Sequence, residues 1–206
     1  MNHARVSVSS LGCTLALAAL FPSVAHAQAA DMSQKGNLAI SNDANLALQG
    51  TSTSDNGGST FTLTLMPAVD YFVIQNLSIG GYVLYQHETL SPGGGGPSTN
   101  VDTFGLGPRI GYNVAIGDSF SIWPKAFIGF TSANQSTGNQ SGGDQAWEIG
   151  VSVPFLFHPA PHFFLGIGPI LATQLSNNVS SGNASRSAGQ ITTYGLAFTL
   201  GGWVGL

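Results

Sequence analysis

The sequence predicts an all-β chain, an eight-stranded antiparallel up-and-down transmembrane β-barrel, on three observations. Apolar residues recur with a period of two in segment after segment, and only 7% of the 206 residues are charged. Beyond the N-terminal leader there is no run of the roughly 18 apolar residues that a helical span needs. Alternation at period two sets a bulky apolar face against a small or polar one, the signature of a strand rather than a helix. Soluble domains carry about 25% charged residues, and a water-facing surface is not readily built from so few. With helical spans excluded, a closed barrel is the remaining way to cross a bilayer with every backbone polar group paired.

The chain divides into a signal peptide over 1–27, a short N-terminal segment over 28–35 and a barrel over 36–206. In the first, Arg5 supplies the positive start, Val6 to Leu20 a short apolar stretch, and Ala25-His26-Ala27 the small-residue cleavage site. A membrane helix would need about 20 apolar residues, and three serines and a threonine interrupt this run. Cys13 lies too early for a lipoprotein site. It is the only cysteine, so the mature chain has no disulfide, thiolate nucleophile or cysteine metal site. Past Ala27, four basic residues face nine acidic ones, a net charge of −5 without a basic cluster. Nucleic acid is therefore not an expected partner.

The strands follow in order, each with its apolar set. Strand one spans about Asn37 to Gly50 (Leu38, Ile40, Ala44, Leu46, Leu48), and strand two about Thr60 to Phe72 (Phe61, Leu63, Leu65, Val69, Tyr71). Leu77 to Glu88 makes the third (Leu77, Ile79, Val83, Tyr85), and Val101 to Val114 the fourth (Phe104, Leu106, Ile110, Tyr112). The fifth runs from Ser119 to Thr131 (Phe120, Ile122, Ala126, Ile128, Phe130), and the sixth from Asp144 to Phe157 (Trp147, Ile149, Val151, Val153, Phe155, Phe157). Phe163 to Leu175 is the seventh (Phe163, Leu165, Ile167, Leu171), and Gln190 to Leu206 the eighth (Tyr194, Leu196, Phe198, Leu200, Val204, Leu206). Each meets the length of about 9–11 residues that a tilted strand needs to cross a bilayer.

Connections alternate in length. Val73–Asn76, Ala115–Asp118 and His158–His162 are short; Gly50–Ser59, Thr89–Asn100, Ser132–Gly143 and Ser176–Gly189 are longer and polar. Tight periplasmic turns and longer external loops are the asymmetry of outer-membrane barrels, so the expected location is the bacterial outer membrane. The second face of each strand is mostly Gly, Ala, Ser and Thr, too small for a water-facing coat but suited to a filled lumen. The apolar face therefore points outward, the reverse of a soluble barrel. Tyr71, Tyr112, Phe120, Phe155, Phe157 and Phe163 fall near the short turns, and Phe61, Tyr85, Phe104, Phe130, Trp147 and Tyr194 near the long loops. These make two aromatic girdles.

The segments NLAISNDANLALQG, TLMPAVDYFVIQNLSIGGYVLY, TFGLGPRIGYNV and YGLAFTLGGW resemble the small eight-stranded outer-membrane barrels, the family of OmpX and the membrane domain of OmpA. The likeness covers essentially 36–206. It implies a monomer in contact with outer-membrane lipid and lipopolysaccharide, inserted by the barrel-assembly machinery that reads the last strand. It supplies no catalytic residues, cofactor or metal, so no enzyme is expected.

Function is sought first among charges on the small-residue face: Asp43, Asp70, Glu88, Arg109, Lys125 and Glu148. A hairpin centred near Thr137 sets Lys125 against Glu148, and the first hairpin brings Asp43 near Asp70, with Arg109 able to answer both. The favoured reading is mutual neutralisation in a filled interior; the alternative is a gate or small pore. His158 and His162 flank two prolines in a short turn, which excludes a helical metal pair. His87-Glu88-Thr89 has the spacing of a hydrolase pair, Thr standing where a Ser would be expected, with no carboxylate evident to orient the histidine. This makes a lipid A-modifying enzyme a distant third reading. The external loops are the expected working surface, Ser91–Ser98 being too glycine-rich for a fixed pocket.

Two irregularities stand out. Pro67, Pro108, Pro124 and Pro169 lie inside strands at a shared level, where each removes a ladder hydrogen bond. The assembly signal, Trp203, Val204 and Leu206, lacks the terminal aromatic expected from the resemblance. By alternation Trp203 faces inward, unless the register slips at Gly201-Gly202 and moves it into the girdle.

Overall fold

The computed structural model describes residues 29–43, 51–52, 59–92, 96–138, 140–181, 184–187 and 192–206. The expected signal peptide and the expected continuation of strand one through Ala44, Leu46 and Leu48 lie outside these. The elements are α1 (Ala29–Met32), β1 (Asn37–Asn42), β2 (Thr51–Ser52), β3 (Ser59–Leu65), β4 (Pro67–Ile74), β5 (Leu77–Ser91), β6 (Thr99–Tyr112) and β7 (Val114–Ala115). They continue as β8 (Phe120–Ile122), β9 (Lys125–Thr137), β10 (Gln140–Ser152), β11 (Phe155–Ala160), β12 (Phe163–Ser181), β13 (Ala184–Ser187) and β14 (Thr192–Gly205).

All pairings are antiparallel and join one sheet into a barrel-like ring. From β1 it passes through β4, β5, β6, β9, β10, β12 and β14, and β14 returns to β1 with Asn37↔Gly205 through Asn42↔Leu200. Closure leaves no free strand edge along that seam. Alternation decides the faces as the sequence implies. Ile40, Val69, Ile79, Leu106, Ile149, Leu165 and Phe198 are exposed, while Ala39, Asp70, Ser78, Arg109, Trp123, Lys125, Phe164 and Thr199 are buried in the interior.

Three expectations about the strands are corrected. First, the long connections are in large part ladder: Thr137 pairs with Gln140, β5 reaches Ser91, and β12 runs 19 residues to Ser181. Both faces are polar there, so no apolar period marks these segments, yet Thr suits a pleated ladder. Second, the second, fifth and sixth strands are each divided: β3 from β4 at Met66-Pro67, β8 from β9 at Trp123-Pro124, and β10 from β11 at Val153-Pro154. A proline has no N–H to donate, and the strand is interrupted at or beside these three, whereas Pro108 and Pro169 lie within the continuous β6 and β12. Neighbours still use the proline carbonyls: the Tyr112 N–H donates to Pro124 O (2.9 Å), Trp123 to Pro154 O (3.0 Å) and Val153 to Pro169 O (3.0 Å). Third, the hairpin of β9 and β10 turns at Gly138 (φ 56°) rather than at Thr137. Setting Lys125 against Glu148 needs a centre between Ser136 and Thr137, and the pairing Thr137↔Gln140 is centred two residues beyond it. Partners shift by twice that displacement, so Lys125 faces Ser152 and Glu148 faces Gly129.

The register does not slip at Gly201-Gly202, since Phe164↔Gly201 and Ile40↔Gly202 continue the same alternation to the end of β14. Trp203 stays inward, opposite Ala39 and packed against the core. Val204 and Leu206 are exposed outward.

Removing 203–206 deletes the seam partners of Leu38 and Ala39 and a core aromatic. We expect that truncated chain to show no heat-modifiable migration in electrophoresis. Leu206→Phe, at an 83% exposed position, should fold into lipid at least as well as the parent.

Candidate functional site in the barrel interior

The interior is filled in tiers. At the end with the short turns, α1 tucks Ala29 and Met32 out of solvent. The Asn76 N–H donates to Ser33 O (2.8 Å), the Asn113 side chain to Ala29 O (3.4 Å), and the Ala29 N–H to Asp118 O (3.2 Å), which ties the segment across the opening. Above it lies an apolar tier of Met32, Ala39, Phe72, Trp123, Leu156 and Phe164, all 0% exposed, with Trp203 against it. Phe72 and Phe164 meet Trp123 at ring-centroid distances of 5.9 and 6.0 Å.

A charged tier rests on that floor. Arg109 donates from Nε to both Asp70 oxygens at 2.9 and 3.0 Å, from Nη2 to Asp70 and to Ser41 Oγ (3.0 Å), and from Nη1 to Asp43. Lys125 Nζ donates to Asp43 Oδ2 at 2.7 Å. Lys125 also stands 4.5 Å from the Trp123 ring centroid, and Arg109 5.9 Å from it, so the indole face adds cation–π attraction to both cations. Two cations against two carboxylates make a neutral tetrad. All four residues are at most 7% exposed, so the pairing offsets a desolvation penalty of several kcal/mol per ion.

Glycine makes the tetrad reachable. Across the sheet Asp70 pairs with Gly80, and Gly80 with Arg109. A Cβ at Gly80 would lie 2.6 Å from Asp70 Oδ1 and against the Val69 carbonyl, so only a bare backbone lets Arg109 cross β5 to its carboxylate. The device repeats one row over: Trp123 passes Gly111 to donate from Nε1 to Ser78 Oγ (3.3 Å). Higher up, Tyr82 passes Gly129 to reach Glu148, its hydroxyl donating to Oε1 at 3.2 Å.

The structure therefore joins Asp43, Asp70, Arg109 and Lys125, and assigns Glu148 to Tyr82 instead of Lys125. Glu88 is half-buried farther along β5. His158 turns inward, 1% exposed, with Nε2 3.1 Å from Ser121 Oγ. His162 lies at the rim, its ring 4.1 Å from that of Trp203, so the two histidines do not converge on a metal. Among the described residues no group of three or more His, Cys, Asp or Glu forms a metal cluster.

No family model and no curated protein match the chain. Among solved structures it is similar to the translocator domain of autotransporter NalP from Neisseria meningitidis, with a TM-score of 0.44 and 14% identity over 83% of this chain. The chain spans 64% of that domain's length. The functional reading is thus carried by this chain's own geometry.

His87 and Thr89 stand on the outer wall of β5, and here the structure supplies what the sequence reading missed. Asp102 faces His87 across β5 and β6, and Asn100 faces Thr89. Asp102 Oδ1 is 2.8 Å from His87 Nδ1, and Thr89 Oγ1 is 3.1 Å from His87 Nε2. The Tyr85 hydroxyl donates to the same Asp102 oxygen at 3.3 Å, and Thr89 lies 3.0 Å from Asn100 Oδ1. Hairpin arithmetic over Thr89–Asn100 already pairs position 87 with 102, so the signal was present.

Replacing Arg109 by Met leaves Asp70 buried without a cation. We expect a loss of about 3–5 kcal/mol, read from urea unfolding of the folded protein in detergent micelles. Glu148→Gln keeps the Tyr82 hydrogen bond and should change stability far less. Gly80→Val should match or exceed the Arg109 loss, because it blocks the crossing and overpacks the backbone.

Proposed function

We propose that the chain is an integral outer-membrane barrel of eight staves with a sealed interior, and that its working surfaces are its wall and external loops. The count takes β1 with β2, β3 with β4, β6 with β7, β8 with β9, β10 with β11 and β13 with β14 as single staves beside β5 and β12. This is the architecture of the OmpX and OmpA membrane-domain type. What supports a bilayer is the inside-out distribution of polarity. Exposed apolar side chains occur on strand after strand round the ring, among them Ile40, Val69, Val83, Leu106, Ile110, Ile149, Leu171, Leu196 and Phe198. Water-soluble monomers rarely expose contiguous apolar patches beyond a few hundred Å², whereas lipid tails cover such a belt without cost. Outer-membrane lipid and lipopolysaccharide are then the surrounding partners, the barrel-assembly machinery the insertion partner, and a monomer the working unit.

The observation favouring a structural or surface-interacting role over a pore is the charged tier of Arg109, Lys125, Asp43 and Asp70 on its Trp123 floor, with α1 across the opening beneath. Each cation is already satisfied by a carboxylate, so an ion entering that tier would have to displace a buried pair. This counts against the pore reading.

Planar-bilayer recording tests the seal. The purified chain should give no stable open channel, and Trp123→Ala combined with Arg109→Ala should raise conductance measurably. Large, stable conductance from the parent would overturn the sealed-lumen reading.

A further inference from the structure

We propose that Asp102, His87 and Thr89 form an acyl-ester hydrolase site on the outer wall, acting on ester-linked acyl chains of lipid at the membrane surface. This rests on the membrane-barrel reading and goes beyond it. Three residues on two adjacent strands are strung as carboxylate, imidazole and hydroxyl at 2.8 and 3.1 Å. Asp102 beside Nδ1 favours the tautomer with its N–H there, which leaves Nε2 to accept the Thr89 proton once that hydroxyl turns from Asn100 Oδ1, its acceptor at 3.0 Å. Tyr85 fixes the carboxylate from below, and strand pairing 87↔102 and 89↔100 holds all three residues on rigid backbone.

Depth selects the substrate. Tyr85 and Phe104, with rings 5.0 Å apart, belong to the outer aromatic girdle, whose level marks the membrane interface. His87 is two residues farther along the strand than Tyr85, a rise of about 7 Å at 3.3 Å per residue. That is headgroup level, where the ester bonds of membrane lipids lie, with the exposed apolar wall of Val83 and Leu106 below to receive an acyl chain. Beside Asp102 an open groove of about 440 Å³ is lined by Asn134, Gln135, Ser136, Ser141, Gly142 and Gly143. Apart from Asp102, which is part of it, the lining is polar and uncharged, which suits a sugar or glycerol headgroup.

In the first step Thr89 Oγ1 attacks the ester carbonyl carbon as its proton passes to His87 Nε2. The imidazolium is held by Asp102. Collapse breaks the carbonyl–alkoxy bond, His87 returns the proton to the departing alcohol, and the acyl group remains on Thr89. Water then attacks that ester, giving its proton to His87, and the fatty acid leaves as Thr89 regains its hydrogen. The sum is ester plus water to acid plus alcohol, with no redox partner.

The test incubates the purified full chain with phosphatidylethanolamine vesicles in one arm and purified lipopolysaccharide in the other, and measures free fatty acid by mass spectrometry. Heat-modifiable migration is recorded for every sample. We expect release in at least one arm, which identifies the lipid source, retained by Thr89→Ser and reduced about a hundredfold or more by Thr89→Val and His87→Gln. A fluorophosphonate should label Thr89 in the parent and fail to label that position in His87→Gln. A heat-modifiable parent that releases nothing in either arm, or a Thr89→Val chain that matches it, overturns the site and leaves the barrel standing. A parent that fails to fold into lipid overturns the membrane reading, and the site with it.

Discussion

Arg109 cannot reach Asp70 unless the strand between them carries no side chain at the crossing. That constraint, a bare glycine beneath a long inward side chain, recurs through the interior. A ring this narrow leaves no room for side chains from every strand at one level, so rows alternate between a residue that reaches and a glycine that yields. Gly80 under Arg109, Gly111 under Trp123 and Gly129 under Tyr82 are three instances. Two of these glycines, Gly80 and Gly129, let a long side chain reach a carboxylate. Each crossing satisfies a buried polar group that would otherwise cost about 1–3 kcal/mol.

The tiers follow from the same economy of space. An apolar floor of Phe72, Trp123 and Phe164 excludes water and leaves the tetrad to neutralise itself. The N-terminal segment completes the floor from below, through backbone and amide contacts to Asn76, Asn113 and Asp118. Outside, the apolar belt has no covering layer among the described residues, and under the proposed function lipid supplies it. Interior polarity and exterior apolarity are two consequences of one period-two pattern, read from opposite faces.

Much of this was legible in the sequence, because alternation is a local property. The face of every strand could be assigned from single residues, including the inward turn of Trp203. What failed was non-local or depended on one turn. The pairing of Lys125 with Glu148 rested on a hairpin centre at Thr137, and the true turn at Gly138 moved both partners. The extent of β9, β10 and β12 was hidden because Ser, Thr and Asn on both faces carry no apolar period. The strand prolines announced themselves, but the use of the Pro124, Pro154 and Pro169 carbonyls by neighbouring strands required the pairing to be known. Asp102 was the avoidable omission, since the span from Thr89 to Asn100 places it opposite His87.

The central claim is that lipid covers the bulky alternate face. Cys13 is the one cysteine of the sequence, so in a Cys13→Ser background single spin labels can be introduced at Leu106→Cys and Phe198→Cys on the outer face and Ala146→Cys and Ala197→Cys on the inner. In vesicles, power-saturation spectroscopy should show Leu106 and Phe198 accessible to oxygen and shielded from a water-soluble nickel chelate. Ala146 and Ala197 should be poorly accessible to both. Strong access of the nickel chelate to Leu106 and Phe198 would contradict the account.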